Sequence, residues 1–101
     1  MSYLLGLDIG TSGVKGLLLS EEGEILLTQT ENYPLYTPHP GWAEQDPEDW
    51  WEATKKCIKG IISKSGIVSA DIKGISFSGQ MHSSVFLDEN MEIIRPAILW
   101  N

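Results

Sequence analysis

The stretch Tyr3-Leu4-Leu5-Gly6-Leu7-Asp8-Ile9-Gly10-Thr11-Ser12-Gly13-Val14-Lys15-Gly16-Leu17-Leu18-Leu19-Ser20 decides how this chain folds. Residues 3–8 are a short apolar run ending on a carboxylate, and residues 14–20 are a second apolar run. Gly10-Thr11-Ser12-Gly13 between them is a turn, since glycines and small hydroxyl residues favour a tight reversal. Strands joined this closely pair antiparallel, because a parallel pair needs a crossover of about a dozen residues or more. Glu21-Glu22-Gly23-Glu24 makes a second polar turn, and residues 25–31 (Ile-Leu-Leu-Thr-Gln-Thr-Glu) a third strand. An antiparallel meander is expected at the amino terminus.

Beyond the meander the pattern changes. Residues 33–45 carry Pro34, Pro38 and Pro40, then Gly41 and Trp42, and predict an irregular extended loop rather than a central strand. Asp46 then opens a helix: it can cap, Pro47 suits the first helical position, and Glu48 and Asp49 put negative charge in the first turn. Trp50, Ala53, Thr54, Cys57, Ile58, Ile61 and Ile62 follow at helical spacing, with Gly66 as the stop. Residues 72–78 (Ile-Lys-Gly-Ile-Ser-Phe-Ser) predict a fourth strand, reached through a helix as a parallel neighbour requires. Ser84–Leu87 and Glu92–Ile94 predict a hairpin around Asp88-Glu89-Asn90, and Ala97–Trp100 begins another apolar run. Meander, helix, then strand is a mixed-sheet α/β architecture. The last run stops without a polar tail, so a truncated domain is expected.

Composition narrows the classes. Hydrophobic residues are 42% and charged residues 21%, as in an ordinary globular protein. The net charge of −7, from 14 acidic against 7 basic residues, offers no long-range attraction to nucleic acid or anionic membrane. No apolar run reaches the ~20 residues of a membrane span, and Met1-Ser2-Tyr3 does not begin a signal peptide. Cys57 is the sole cysteine, so cytoplasmic residence is expected. A site for a polyanion in so acidic a chain must be local, built from backbone N–H groups, a lysine or two and a metal ion.

Three segments could carry chemistry, and each has two readings. The turn after Asp8 can aim N–H groups and the hydroxyls of Thr11 and Ser12 at a phosphate, with Asp8 holding Mg²⁺. Equally, it can be a plain hairpin with Asp8 capping and Lys15 solvated. It is neither a Walker loop nor a dinucleotide fingerprint. Ser78-Gly79-Gln80-Met81-His82-Ser83-Ser84 falls at a strand's carboxyl end, where ligands of α/β sheets gather. Gln80 and His82 suit sugar hydroxyls and Met81 an apolar wall, or the segment is a polar loop with His82 on a carbonyl. Trp42, Trp50 and Trp51 can stack on sugars or staple the helix to the sheet, and the staple is expected. His39 has no metal-binding partners at useful spacing, and Cys57 on the apolar face is expected to be buried and inert.

Asp8–Lys15, then Trp42-Ala43-Glu44-Gln45-Asp46-Pro47 with Trp50-Trp51, then Gly79-Gln80-Met81-His82, then Arg95-Pro96-Ala97-Ile98-Leu99-Trp100-Asn101 together resemble the start of the FGGY carbohydrate kinases. Within them, Gln-Met-His and the Trp-Asn ending resemble the xylulokinases, with gluconate kinases as the nearest competitor. The resemblance implies a ribonuclease-H-like (actin-like ATPase) mixed sheet, present here as the amino-terminal part of the first, sugar- and phosphate-binding domain. It implies ATP and Mg²⁺ as cofactors, D-xylulose as substrate and D-xylulose 5-phosphate as product. By position, Asp8 is the carboxylate near Mg²⁺ and the transferred phosphate. Gly10, Thr11, Ser12 and Gly13 form the phosphate turn, with Lys15 as a further contact. Gln80, Met81, His82 and Trp100 face the sugar. The catalytic base and the adenosine pocket would lie outside these 101 residues, so the chain alone is expected to be inactive. Homodimers are common among such kinases. Two other classes are a non-kinase actin-like ATPase, sharing only the phosphate turn, and a free-standing acidic, tryptophan-rich binding module, which would have no incomplete sheet.

Overall fold

A computed structural model describes residues 1–100. Strands β1 (Tyr3–Ile9), β2 (Gly13–Ser20) and β3 (Ile25–Asn32) form the expected antiparallel meander. Helix α1 (Pro47–Ser65) follows, and β5 (Ile72–Gly79) then pairs parallel to β1, giving the sheet order β3-β2-β1-β5.

Period-two alternation selects the face that α1 covers. Leu5, Leu7, Val14 and Leu18 point to it and pack with Ala53, Cys57 and Ile61 of the helix. Gly16 has a steric reason: a Cβ there would lie 2.6 Å from Cys57 Sγ and 2.8 Å from Ile61 Cδ1. The helix can approach only because β2 has no side chain at that point. Burial pushes the Cys57 thiol above its ordinary range, the Glu31 charge adds to this, and a backbone hydrogen bond at Gly16 opposes it. The thiol is buried, as expected.

The helix ends follow their sequence signals. Asp46 accepts a hydrogen bond from the Glu48 N–H at 3.0 Å, Pro47 opens the first turn, and Gly66 closes the helix at φ 73°. Only Trp50 of the three clustered tryptophans serves as a staple. Trp42 is half exposed, edge-on to His39, and Trp51 lies under the Lys55 ammonium.

Two expectations are corrected in part. The proline segment is not wholly irregular: β4 (Glu44–Gln45) emerges from it and pairs antiparallel with β6 (Ala97–Ile98), reinforced by the Arg95–Glu44 ion pair. Two residues are too few to show a period, so pairing partners alone create this strand. The Ser84–Leu87/Glu92–Ile94 hairpin is present but short: Leu87 bridges Ile93, flanked by the Asp88 N–H on the Glu92 carbonyl and the Ile94 N–H on the Phe86 carbonyl, while Ser84 bridges Ile98 instead. The Asp88 carboxylate holds the hairpin tip, accepting from the N–H groups of Asn90 and Glu92 at 2.8 and 3.0 Å.

Helix α1 lies over β2 and β3, and β5 stands at the sheet edge with Ile75 57% and Phe77 73% exposed. The sheet is thus open at β5 among the described residues, which disfavours a self-contained binding module.

Candidate functional site

Parallel pairing of β1 with β5 brings their carboxyl ends level, Asp8 opposite Ser78 and Ile9 opposite Gly79. The turn after β1 and the loop after β5 therefore leave the sheet side by side. The Gln80 N–H continues the ladder by donating to the Ile9 carbonyl at 3.1 Å.

The turn itself is closed by the Gly10 N–H on the Gly13 carbonyl at 3.0 Å. Its other three carbonyls are all held from the protein interior. The Tyr33 hydroxyl donates to the Gly10 carbonyl, Gln45 Nε2 donates to that of Thr11 at 2.6 Å, and the Tyr33 N–H donates to that of Ser12 at 3.3 Å. Across a trans peptide the C=O and the next N–H point in opposite directions, and no peptide here is cis. Carbonyls tied inward at Gly10 and Thr11 thus turn the N–H groups of Thr11 and Ser12 outward. Among the described residues the N–H groups of Thr11 and Ser12 have no protein acceptor. Successive outward N–H groups are what an anion-binding concavity consists of.

Gly13 is needed for fit rather than for freedom of φ. A Cβ there would lie 2.4 Å from the Glu31 carbonyl oxygen and 2.9 Å from Asn32 Cα. The turn sits flush against β3 on that account.

Asp8 is exposed on the sheet face away from α1, where its Oδ1 accepts from Ser78 Oγ at 2.9 Å. Lys15 is directly opposite it on β2, and both line a groove of about 300 Å³ with Gly6, Leu17, Ser76 and Ser78. Among the described residues no three His, Cys, Asp or Glu side chains gather as a metal cage. A single carboxylate nevertheless fits Mg²⁺, which typically takes one or two carboxylates, substrate phosphate oxygens and water. Burial pushes the Tyr33 hydroxyl up to about 12, with the Asp8 charge adding to the effect, so it stays a donor throughout the neutral range.

On the other side of the turn lies a concavity of about 440 Å³, lined by Trp50, Phe77, Gln80, His82, Ser83 and Val85 among others. Gln80 and His82 are therefore together, as the sequence suggests. Gln80 also has a task the sequence does not reveal: Oε1 accepts from Thr11 Oγ1 at 3.3 Å, and Nε2 donates to Gln45 Oε1 at 2.9 Å. Met81 is 70% and Trp100 64% exposed, and neither lines this concavity. Sequence reasoning missed the parts Tyr33 and Gln45 play in the turn, and it marked Ser78 within a candidate segment without its link to Asp8. Their partners lie 23 to 70 residues away, so no local pattern marks these links.

This geometry has counterparts in known proteins. The model of the FGGY family of carbohydrate kinases, N-terminal domain, matches residues 3–101. The chain belongs to that family. It is 46% identical over 97 residues to the xylulose kinase of Escherichia coli K12, covering 96% of this chain and 20% of the relative. A gluconokinase of Bacillus subtilis is 40% identical over 99 residues, covering 98% of this chain and 19% of the relative. The crystal structure of a xylulose kinase from Brucella ovis superposes with a TM-score of 0.93 at 41% identity, covering 98% of this chain and 21% of the other. The mixed sheet is that of the actin-like ATPase fold. The chain spans about a fifth of the length of the curated relatives it matches.

Proposed function

We propose that these residues supply the phosphate turn and one wall of the sugar pocket of an ATP-dependent kinase that converts D-xylulose to D-xylulose 5-phosphate. They are then the amino-terminal part of its first domain, and the catalytic base and adenosine pocket come from residues beyond them. One observation carries this reading: a turn with its carbonyls tied inward and its N–H groups outward stands beside the loop of Gln80 and His82.

Phosphoryl transfer depends chiefly on positioning and charge stabilisation. In this reading Thr11, Ser12 and Gly13 bind the β- and γ-phosphates through backbone N–H groups, with Gly10 closing the turn and Lys15 adding positive charge. Asp8 holds Mg²⁺, which supplies neutralisation of the phosphate charge when bound. Gln80, Met81, His82 and Trp100 face the sugar, the latter two with ring surfaces and the first with its amide. Domain closure in the longer protein excludes water, so that the sugar hydroxyl and not water receives the phosphate. The proposed setting is the cytoplasm and the proposed assembly a homodimer; sedimentation of the full-length protein as a monomer would overturn the latter.

The test is sugar-dependent ADP release by the full-length protein carrying these residues, with D-xylulose, D-ribulose, gluconate and glycerol compared. Preference for D-xylulose supports the reading, while preference for gluconate keeps the family and moves the substrate. ATP hydrolysis indifferent to sugar would leave a non-kinase ATPase. The 101-residue chain alone is expected to phosphorylate nothing.

A further inference from the structure

Gln45 is fully buried, with 0% of its surface exposed, yet it carries four hydrogen-bonding positions. The structure uses them in one direction. The Trp50 indole can only donate, and it lies 2.9 Å from Oε1 of Gln45. That contact decides which end of the Gln45 amide is oxygen, and so puts Nε2 on the Thr11 carbonyl at 2.6 Å. The same Oε1 takes a second donor, Nε2 of Gln80, at 2.9 Å. Gln80 must then present its own Oε1 to the Thr11 hydroxyl, at 3.3 Å. A ring closes through Thr11, Gln45 and Gln80, with the indole setting its polarity.

We propose that Gln45 is a positioning residue of this site: its amide, oriented by Trp50, pulls the Thr11 carbonyl inward and thereby aims the Ser12 N–H at the bound phosphate. The inference rests on reading the turn as a phosphate site. Gln45 touches no substrate and acts only through Thr11 and Gln80. Because Gln80 also lines the concavity of His82, the ring joins the phosphate side of the site to the other side by one shared side chain. A polar ring this buried is effective only when every member is satisfied.

The experiment uses the full-length protein, with Mg·ADP affinity measured by titration calorimetry alongside sugar phosphorylation. Q45L removes the donor and both acceptors, and Mg·ADP is expected to bind about tenfold more weakly, as unsatisfied buried partners require. Q45E keeps the acceptors for Trp50 and Gln80 but faces Thr11 with a carboxyl group. Ionised, that group opposes the Thr11 carbonyl; protonated, it donates to it, and burial favours the protonated form. The ratio of Q45E to parental affinity should therefore rise severalfold as pH falls from 8 to 6. A role confined to packing predicts a ratio that does not move with pH.

Parental affinity in Q45L, or a flat ratio in Q45E, overturns the proposal. Should both variants fail to fold, W50F decides: it removes the orienting donor together with part of the ring that packs on the core, it should weaken Mg·ADP severalfold, and unchanged affinity overturns the proposal. A parent that binds Mg·ADP but phosphorylates no sugar removes the kinase reading and leaves this test intact. A parent that does not bind Mg·ADP overturns both.

Discussion

The two segments that leave β1 and β5 are neighbours in space and are secured in contrasting ways. Residues 10–13 are held by side chains from elsewhere, with Tyr33 and Gln45 supporting carbonyls from beneath. Residues 80–83 are instead anchored by a member of their own, Gln80, whose N–H and amide reach Ile9, Thr11 and Gln45. Past Gln80, Met81 stands 70% exposed, and His82 takes a left-handed backbone at φ 60°, which a residue with a Cβ adopts at a cost. On the proposed reading, the phosphate side is thus set before any ligand arrives, whereas the sugar side presents its groups on a locally strained loop. Preorganisation suits the fixed shape of a phosphate, which every nucleotide shares.

The largest test of the contrast falls on Asp8. Asp8→Asn keeps an acceptor for the Ser78 hydroxyl but removes the charge opposite Lys15. On the kinase reading, kcat should fall about 10²- to 10³-fold, as when a single charge-stabilising group is lost. Because Asp8 is exposed, stability should change by less than about 0.5 kcal/mol. Parental kcat in the variant would remove Asp8 from the site.

The turn's two glycines provide the next test, since preorganisation here depends on fit. Gly13→Ala sets a Cβ against backbone of β3 at 2.4 and 2.9 Å, so relief requires β2 and β3 to part. A cost of about 1–3 kcal/mol is expected in urea unfolding, the usual range for overpacking. At Gly10 the nearest atom to a new Cβ is 3.5 Å away, and Gly10→Ala should cost well under 1 kcal/mol. Equal losses at the two positions would show that flexibility, not contact with β3, is what the glycines provide.

These residues also show where sequence stops being legible. The meander, the capped helix and the parallel fourth strand follow from periods, caps and turn residues that act within a few positions. Strand β4 does not, because Glu44–Gln45 becomes a strand through β6, more than 50 residues on, and through a bridge from Glu44 to Tyr36 within the proline segment. The site divides in the same way. Thr11, Ser12 and Gln80 are visible because glycines and a strand end flag them. Tyr33 and Gln45 are not, because a buried polar residue is explained by the partner it finds, and that partner is chosen by the fold. The Gly13 requirement lies between: its presence in a turn is expected, but its contact with Glu31 depends on how β3 docks.

On the strained side, His82 separates backbone from side chain. Both His82→Gly and His82→Ala lose the imidazole, so the KM for the sugar should rise about tenfold in each if the ring binds one hydroxyl. Only glycine relieves the φ of 60°. The glycine variant should therefore be more stable than the alanine variant by up to about 1 kcal/mol in the same urea titration. Equal stabilities would mean that the loop is not strained, and the contrast with the turn would weaken accordingly.

The smallest effect concerns Tyr33, which supports the turn through its hydroxyl and its N–H alike. Tyr33→Phe removes the donor to the Gly10 carbonyl and retains the ring, so a loss of about 1 kcal/mol is expected near neutral pH. The pH dependence follows from the raised hydroxyl. Its folded-state value of about 12 exceeds the ordinary 10.0, so the folded protein favours the neutral, proton-donating form. The stabilisation is therefore complete below pH 10 and is lost as pH climbs from 10 toward 12. Lysines and the other tyrosines titrate over the same interval, which is why the quantity to follow is the parent-minus-variant difference. That difference should be level from pH 6 to about 9 and shrink above 10, where the phenolate would meet the Gly10 carbonyl with Asp8 nearby. A difference that stays constant to pH 12 would mean that the ring, not the hydroxyl, supports the turn from below.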